Sequence, residues 1–228
     1  MISIPIFIGY DPREAIAYHV CANSIIRNSS VPVSITPLAL NLFKDYTETH
    51  TDGSNQFIYS RFLVPYLMNY SSHAIFMDGD MIIRGDIAEL WTLRDLTKDV
   101  QVVKHDYKTK MKEKYLGSKN EDYPRKNWSS VMIFNCQNYP TKKLTPEYVQ
   151  KSSGSHLHRF EWTTDDRIGE LPPEWNWLPD EYGPNPNAKL LHYTLGTPSF
   201  HEFATTPMGD EWHRERIYTE YCQQRNVG

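Results

Sequence analysis

The stretch HAIFMDGDMIIRGDI, residues 73–87, places two carboxylates inside an apolar run. Apolar residues at 74–77 and at 81–83 flank Asp78 and Asp80. A buried carboxylate costs several kcal/mol unless it is paired or binds a cation. The two aspartates therefore either lie in water at the end of a strand or hold a positive group, and the rest of the chain decides between these alternatives.

Length and composition limit the class of protein. The chain has 228 residues, with 39% hydrophobic and 23% charged residues, which is ordinary for one soluble globular domain with a sizeable core. The formal charge of −4 offers no basic face for nucleic acid. No segment reaches the ~20 apolar residues that span a bilayer. The start, MISIPIFIGYD, lacks the basic region and cleavage site of a signal peptide.

The cysteines indicate a redox compartment. Cys21, Cys136 and Cys222 are odd in number and widely spaced, which favours buried thiols over a disulfide framework or a zinc site. We therefore expect a cytoplasmic protein.

Helical and strand patterns alternate through the first half of the sequence. Asp11 is a predicted helix N-cap, Pro12 takes the first helical position, and Glu14 has the spacing of a capping box. A second helical pattern at 55–70 contains Pro65, which predicts a kink. Apolar runs predict five strands, at IPIFIGY (4–10), VSITPLAL (33–40), HAIFMD (73–78), DVQVVKHD (99–106) and SSVMIFNC (129–136). This alternation is typical of an α/β fold with a mixed, largely parallel sheet flanked by helices.

The second half of the sequence is less regular. KLLHYT (189–194) predicts one more strand, and residues 209–225 predict a charged terminal helix. The Ser/Gly-rich segment 151–158 is interpreted as a polar loop, and the irregular stretch 155–189 is expected to cover a site. Because no repeat or linker is found, we predict a single domain over the whole chain.

Polar side chains follow three of the predicted strands at the point where each strand ends. They are Asp11, the pair Asp78 and Asp80, and the run Lys104-His105-Asp106. Ligands of open α/β sheets bind at the carboxyl ends of the strands, so these groups are expected along one rim. Two carboxylates one residue apart can chelate Mg²⁺ or Mn²⁺ and leave coordination positions for phosphate oxygens.

Six segments together resemble GT-A glycosyltransferases, and most closely those of glycosyltransferase family 8. MDGDMIIRGDIAELW (77–91) looks like the strand and D-x-D metal motif of that family. The others, in the family's order, are IFIGYD (6–11), YSRFLVPYL (59–67), NWSSVMIFN (127–135) with TTDDRIGELPPEWNWLP (163–179), and HYTLG (192–196). The resemblance implies a GT-A fold, with a nucleotide-sugar-binding half at 1–137 and an acceptor and lid half, with the C-terminal helix, at 138–228.

The resemblance also implies an activity and a set of site residues. The activity is metal-dependent transfer of a sugar, with retention, from a UDP-linked nucleotide sugar to a carbohydrate or other hydroxyl acceptor. The metal, Mn²⁺ or Mg²⁺, would be held by Asp78, Asp80 and His192, and the candidate nucleophiles are Asp165 and Asp166. Other glycosyltransferase modules remain open as partners. The implied nucleotide and donor contacts are Ile8, Gly9, Tyr10, Asp11, Arg61, Asp78, Gly79, Asp80, Asn127, Ser129, Ser130 and Gly196.

The sequence departs from the family pattern at three of these segments, one of which reads Thr164-Asp165-Asp166 where the family has D-Q-D. The late motif usually continues to a lysine that neutralises the diphosphate, whereas here it continues as GTPSF (196–200). The metal, Arg61, or a lysine such as Lys104 or Lys126 would then supply that charge. Ser129 and Ser130 replace small apolar residues, which bears on the choice of donor sugar.

Several alternatives stay open at this stage. Asp11 can be only an N-cap, Arg61 a surface partner of helix carboxylates, and His192 a hydrogen-bonded core residue. His156 and His158 are interpreted as solvated residues of a lid at 152–166 that orders when donor binds.

Two other functions compete with sugar transfer. A nucleotide-sugar pyrophosphorylase would share the acid pair but needs a glycine-rich basic loop after the first strand, which GYDPRE is not. A non-catalytic carbohydrate-binding module would explain the 15 tyrosines and 6 tryptophans, but not an acid pair combined with a distant histidine.

Overall fold

The computed structural model describes residues 3–221, so Cys222 and the end of the predicted terminal helix lie outside the described residues. The described strands are β1 Ile4–Gly9, β2 Val33–Leu38, β3 His73–Met77, β4 Met81–Ile83, β5 Val100–Val102, β6 Val131–Asn135, β7 Ile168–Glu170 and β8 Leu190–His192. The described α-helices are α1 Ala15–Arg27, α2 Val64–Leu67, α3 Ile87–Thr92, α4 Tyr139–Lys142, α5 Pro146–Lys151, α6 Gly154–His158, α7 Pro179–Tyr182 and α8 Gly209–Glu220.

Six of the strands form one mixed sheet in the order β2-β1-β3-β6-β5-β7. β1 is parallel to β2 and β3, β7 is parallel to β5, and β6 runs antiparallel to both of its neighbours. The predicted α/β class and mixed sheet are therefore confirmed. The carboxyl ends of β1, β3 and β5 lie at one edge of the sheet, as the three polar strand ends predicted.

Apolar side chains cover both faces of the central strands, which explains their unbroken apolar sequences. One face packs phenylalanines of the sheet against aromatic residues from the flanking segments, namely Phe7, Phe76 and Phe134 against Phe57, Phe62, Phe160 and Trp162. The other face packs against α1 and a buried tryptophan, through Ile6, Ile8, Ile75 and Met77 against Cys21, Ile25 and Trp175. Cys21 and Cys136 are buried free thiols, as expected.

A second sheet of two strands brings the late part of the chain to the acid pair. β4 and β8 pair antiparallel, with Met81 opposite His192. The backbone N–H of Tyr193 donates to the carbonyl of Asp80 at 3.0 Å. The β8 prediction is confirmed, and this pairing fixes His192 beside the D-G-D turn.

The local predictions around α1 and α2 are correct only in part. Asp11 does cap the first turn, through a hydrogen bond from the backbone N–H of Arg13. Glu14 does not form a capping box, because its carboxyl group accepts the hydroxyl hydrogen of Tyr115 at 2.6 Å instead. Pro65 lies in the first turn of α2, after a separate 3-10 turn at Ser60–Leu63, so it starts a helix and does not kink one.

The interpretation of 151–158 as a polar loop is wrong. The segment contains the end of α5 and the short helix α6, and Ser153 caps α6 by accepting from the backbone N–H of His156. Leu157, Phe160 and Trp162 are buried in the core that covers one sheet face. Three apolar anchors within 152–166 are incompatible with a lid that has few apolar contacts. The strand β7, which follows, was not predicted. No helix among residues 3–221 is long and apolar enough to cross a membrane.

We predict that Leu157→Ala lowers the free energy of unfolding by about 2–5 kcal/mol, because it leaves a cavity in a fully buried site. The matched control is Leu96→Ala, since Leu96 is 71% exposed and its truncation should change stability by no more than about 0.5 kcal/mol. Urea denaturation of both variants measures the difference. Equal small effects would restore the interpretation of 152–166 as a loosely packed lid.

Candidate active site

Asp78, Asp80 and His192 form a cluster at the carboxyl end of β3. One ligand atom from each lies within 4.8 Å of the other two. The imidazole Nε2 of His192 is 3.2 Å from Oδ1 of Asp80 and 3.9 Å from Oδ2 of Asp78. One oxygen of each carboxylate, Oδ1 in both cases, is buried. Oδ1 of Asp78 pairs with Nη1 of Arg61 at 2.8 Å, and Oδ1 of Asp80 faces Nε2 of His192. Two buried carboxylates with so few partners are expected where a cation binds.

The tautomer of His192 follows from the hydrogen bonds of Asn176. The amide Nδ2 of Asn176 donates to Oγ of Ser130 at 2.8 Å, and that hydroxyl donates to the carbonyl of Asn127 at 2.7 Å. Oδ1 of Asn176 therefore faces Nδ1 of His192, at 3.0 Å. Since Oδ1 can only accept, Nδ1 carries a hydrogen, and in the neutral imidazole the lone pair on Nε2 points to the carboxylates.

The residues present fit a divalent cation. Two carboxylates and one neutral imidazole nitrogen form a donor set that suits Mn²⁺ or Mg²⁺. The Asn176 amide gives His192 the outer hydrogen bond that metal-binding histidines usually have. The structure therefore places the three sequence-predicted metal ligands together, and it adds Asn176, which the sequence had shown only as part of the W-N-W segment.

Arg61 neutralises part of the charge of the acid pair. Its Nη1 lies 2.8 Å from Oδ1 of Asp78 and donates to the carbonyl of Ser129 at 3.0 Å. Arg61 is 4% exposed, so the alternative of a surface ion pair with helix carboxylates is wrong. It is held where it can act on the site directly.

The two aspartates differ in acidity because their surroundings differ. Burial raises the pKa of Asp78 to about 6, with a further increase from Asp80, while Arg61 and His192 oppose the shift. Burial also acts to raise the pKa of Asp80, but His192, Lys114 and a backbone hydrogen bond together outweigh it and hold that pKa below the usual range. The surrounding positive groups therefore offset the charge of Asp80 more fully than the charge of Asp78.

The predicted contacts at the end of β1 divide into accessible and buried groups. Ile8 is fully buried in the sheet, so its side chain cannot reach a ligand. A Cβ on Gly79 would lie 2.5 Å from the carbonyl oxygen of Gly9, which explains the glycine between the two aspartates. Tyr10 is partly exposed and borders a cavity of about 300 Å³ with Tyr18. Tyr10 is the side chain of this group that remains accessible.

Asp11 has its oxygens occupied by protein groups. It forms an ion pair with Arg13 at 2.6 Å and accepts the backbone N–H of Gln56 at 3.1 Å. Burial raises the pKa of this carboxyl group, but the hydrogen bonds from Arg13 and Gln56 outweigh that effect and lower it. Of the two alternatives for Asp11, the structure shows the N-cap.

The start of β6 contributes hydroxyl groups beside Arg61. Asn127 adopts a left-handed conformation with φ of 60°, so the chain turns shortly before it enters β6. Oγ of Ser129 lies 2.7 Å from Nδ1 of His158. His158 is therefore packed against the site, with its pKa lowered to about 3 by burial and by Arg61, and the interpretation of it as a solvated loop residue is wrong.

The structure does not bring Asp165 and Asp166 to the cluster. They precede β7, whose first residue pairs with Val100 near the start of β5, at the opposite end of the sheet from Asp78. The Asp165 side chain is 83% exposed and pairs with Arg125 at 2.6 Å. The spacing of the TTDD segment carried no information about which end of the sheet it would reach.

The segment 104–126 contributes groups that the sequence analysis missed. It carries eight Lys or Arg residues against four Asp or Glu residues in a chain of net charge −4, which is the signal that could have found them. Lys126, proposed as a diphosphate partner, instead donates to Oδ1 of Asn120 and to the carbonyl of Glu121, each at 2.6 Å. Burial lowers the pKa of Lys114, whereas the negative charges of Asp80 and Asp78 act to raise it. It borders a cavity of about 450 Å³.

We predict that Glu14 makes the metal-free protein less stable as pH rises. Burial and the nearby Asp80 raise the pKa of Glu14 from 4.5 to about 8. Because the native state holds this proton more tightly than the unfolded chain, stability is full below the unfolded pKa and falls by at most about 1.4 kcal/mol per pH unit up to the folded pKa. Glu14→Gln should remove this fall, as measured by urea denaturation between about pH 5 and pH 9.

The control for this measurement is Glu202→Gln, which removes an exposed carboxylate. Its pH profile should run parallel to that of the wild type. A Glu14→Gln profile that is also parallel to the wild type would show that Glu14 is ionised in the native state.

Comparisons with known proteins place this geometry in a family. Residues 17–197 match glycosyl transferase family 8. The protein called Protein CDI from Arabidopsis thaliana is 40% identical over 219 residues, which cover 92% of this chain and 85% of that protein. The alternatives of a pyrophosphorylase and a carbohydrate-binding module receive no support from these matches.

Solved glycosyltransferases share the fold at low sequence identity. GlyE from Streptococcus pneumoniae superposes with a TM-score of 0.64 at 14% identity, over 95% of this chain and 60% of GlyE. The bifunctional glycosyltransferase WbbM gives 0.61 at 17%, over 94% of this chain and 52% of WbbM. The galactosyltransferase LgtC, solved with donor and acceptor sugar analogues, gives 0.62 at 12%, over 97% and 98%. This chain has the GT-A fold, is a glycosyltransferase, and belongs to glycosyl transferase family 8.

Proposed function

We propose that this glycosyltransferase is metal-dependent and moves a sugar, with retention, from a UDP-linked nucleotide sugar to a hydroxyl group of a carbohydrate acceptor. The observation that carries the proposal is the cluster of Asp78, Asp80 and His192, with its two buried carboxylates and its oriented imidazole. Nothing local in the sequence joins His192 to the acid pair, and Arg61 is the one guanidinium that pairs with these two carboxylates among the described residues.

Each residue of the cluster has a distinct task in the proposed reaction. A divalent cation bound there would act as a Lewis acid on the diphosphate leaving group. Asp78 and Asp80 hold that cation, and Arg61 keeps the Asp78 carboxylate in place through its contact at 2.8 Å. Asn176 keeps Nε2 of His192 free of hydrogen.

The donor is proposed to lie between the ends of β1 and β6. Tyr10 offers an accessible ring for the nucleotide base, and Ser129 and Ser130 border the sugar. Tyr10 borders a cavity of about 300 Å³, which leaves room for the base beside its ring.

The position of Asp165 and Asp166 bears on the route of transfer. Retention needs either a protein nucleophile on the far face of the sugar or attack by the acceptor on the face that the leaving group departs from. Because both aspartates lie at the other end of the sheet, the proposed site does not contain them. We therefore favour attack by the acceptor hydroxyl on the leaving-group face.

The direct test is product analysis with a panel of nucleotide sugars and simple sugar acceptors, with and without Mn²⁺. We expect transfer from a UDP-linked donor that stops when the metal is chelated. Transfer at an undiminished rate in the presence of chelator would contradict metal dependence. Transfer only from donors that carry another nucleotide would contradict UDP.

We predict that Asp80→Asn lowers transfer at limiting Mn²⁺ on the order of 100-fold or more, because it removes an anionic ligand. The matched control is Asp165→Asn, which changes an exposed carboxylate and should leave activity nearly unchanged. Initial rates of nucleoside diphosphate release measure both variants. A large loss in Asp165→Asn would return that residue to the site.

We predict that Asn176→Leu weakens Mn²⁺ binding about 10- to 100-fold, because His192 loses the acceptor that fixes its tautomer. Asn176→Asp keeps an acceptor oxygen at that position and should retain the affinity. Calorimetric titration with Mn²⁺ in the presence of UDP compares the two. Equal affinities in both variants would mean that His192 does not depend on this hydrogen bond.

A further inference from the structure

The amino-terminal edge of the main sheet carries a cavity that the proposed reaction does not use. Ile4 begins β1, His73 begins β3, and Gln137 follows the end of the antiparallel strand β6. These residues line a cavity of about 650 Å³ together with α3 and the segment after it, and a cavity of that size can hold a small molecule. Asp78 follows the other end of β3, so the cavity and the metal cluster lie at opposite ends of one strand.

Helix α3 lines the cavity with one of its faces. Ala88, Trp91 and Thr92 border it, and the second and third of these lie three and four residues after the first, which places them on the same side of the helix. The ring of Trp91 meets the imidazole of His73 edge to face, with the ring centroids 6.5 Å apart. The helix and the sheet therefore meet through these two rings.

Arg94 supplies the positive charge of the cavity. Its guanidinium lies over the ring of Trp91, with Cζ 3.8 Å from the ring centroid, and Nη1 donates to the carbonyl of Trp91. These two contacts fix the plane of the guanidinium and occupy one of its nitrogens. Within residues 3–221, Nε and Nη2 make no hydrogen bond with the protein. The edge that they form is the fork that binds a planar carboxylate through two parallel hydrogen bonds.

The carboxylates near Arg94 in the sequence are engaged with other groups. Glu89 and Asp99 form ion pairs with other cations, and Asp95 accepts the backbone N–H and the hydroxyl hydrogen of Thr97 at 2.8 and 2.7 Å. Burial lowers the pKa of Arg94, and no carboxylate of the described residues acts to raise it. A partly buried guanidinium without a counter-ion is costly, and an anion from outside the chain removes that cost.

His73 adds an unused polar atom to the same cavity. Its side chain lines the cavity, the residue is 5% exposed, and Nε2 is buried without a hydrogen-bond partner in the described part of the chain. Burial and the positive charge of Arg94 both lower the pKa of His73, so its imidazole is neutral near pH 7. Buried polar atoms normally have a partner, and this nitrogen therefore indicates a missing ligand atom.

We propose that this cavity binds a small organic monocarboxylate. Its carboxylate pairs with the free edge of Arg94, and the tautomer of His73 that carries its hydrogen on Nε2 donates to the same group. One guanidinium beside a neutral imidazole offsets a single negative charge. A carboxylate matches that charge, whereas a phosphate monoester carries about −1.5 to −2 at pH 7.

The apolar part of the ligand lies against aliphatic side chains at the same edge. Leu96 is 71% exposed and Val31 is 37% exposed, and both line the cavity with Ile4 and Ala88. A single exposed leucine is ordinary, but here several aliphatic groups adjoin a guanidinium that has no counter-ion. An alkyl chain with a carboxylate at one end covers both parts of this surface and removes the aliphatic groups from water.

The experiment titrates the protein with hexanoate, hexanamide and hexyl phosphate, which share one alkyl chain, and follows the backbone and indole N–H signals by NMR. We expect hexanoate to bind with a Kd on the order of 1 mM and to shift the indole N–H of Trp91. Hexanamide should bind at least about 10-fold more weakly, because it cannot form a charge-assisted pair. Hexyl phosphate should bind no more tightly than hexanoate.

Variants of Arg94 test its part in the site. Arg94→Met should weaken hexanoate binding about 10-fold or more and remove the preference for hexanoate over hexanamide. Arg94→Lys keeps the charge without the fork, so its affinity should fall between the two, and it serves if the methionine variant does not fold. The matched control is Arg214→Met, which removes an exposed guanidinium from α8 and should match the wild type.

Several results would overturn the proposed site. Hexanoate affinity that is the same in wild type, Arg94→Met and Arg94→Lys would mean that apolar contact alone holds the probe. Tighter binding of hexyl phosphate would contradict a monocarboxylate ligand. Asp80→Asn should keep the wild-type affinity, since Asp80 lies at the other end of the sheet, and a loss there would place hexanoate at the metal cluster. A wild type that binds no hexanoate would overturn the site and leave the proposed sugar transfer untouched.

Discussion

Repulsion between two buried carboxylates at the end of β3 is the constraint on which the site depends. Asp78 and Asp80 follow a strand that is buried on both faces, and only Gly79 separates them. A protein interior tolerates such a pair only if positive groups surround it. The chain meets this requirement with groups from distant positions, among which are Arg61 before β3 and His192 at the end of β8. The pairing of β8 with β4 brings the second of these groups, His192, to the acid pair.

The sequence was sufficient wherever one local interaction decides the structure. The apolar run at 73–77 can only be a buried strand, and the N-cap of Asp11 needs nothing beyond its neighbours. His192 was predicted at the acid pair only through the resemblance of HYTLG to the family's late motif, and the pairing of β8 with β4 gives the physical reason. In these cases burial, capping and pairing all favour the same structure.

The sequence was insufficient wherever position depends on which end of the sheet a segment reaches. Asp165 and Asp166 have the composition of a catalytic pair, but the parallel pairing of β7 with β5 carries them away from Asp78. The polar letters of 151–158 hid three apolar anchors just beyond them, so α6 and His158 pack against the site. Lys126 is one of eight Lys or Arg residues in 104–126, and only the fold shows that it is buried. Composition can report the charge of a segment, but not which of its residues is buried.

The arrangement of charge explains how the proposed reaction proceeds without a nearby protein nucleophile. Arg61 and His192 contact the acid pair, and in the proposed complex both lie on the side of the diphosphate. Stabilising the leaving group lowers the barrier to breaking the glycosyl–phosphate bond, whichever group attacks the sugar. A carboxylate opposite the sugar would add anionic charge to a site that already has too much of it, as the raised pKa values of Asp78 and Glu14 show. The two buried aspartates after β3 require positive charge around them. The same requirement favours a site that stabilises the departing diphosphate over one that adds a carboxylate nucleophile.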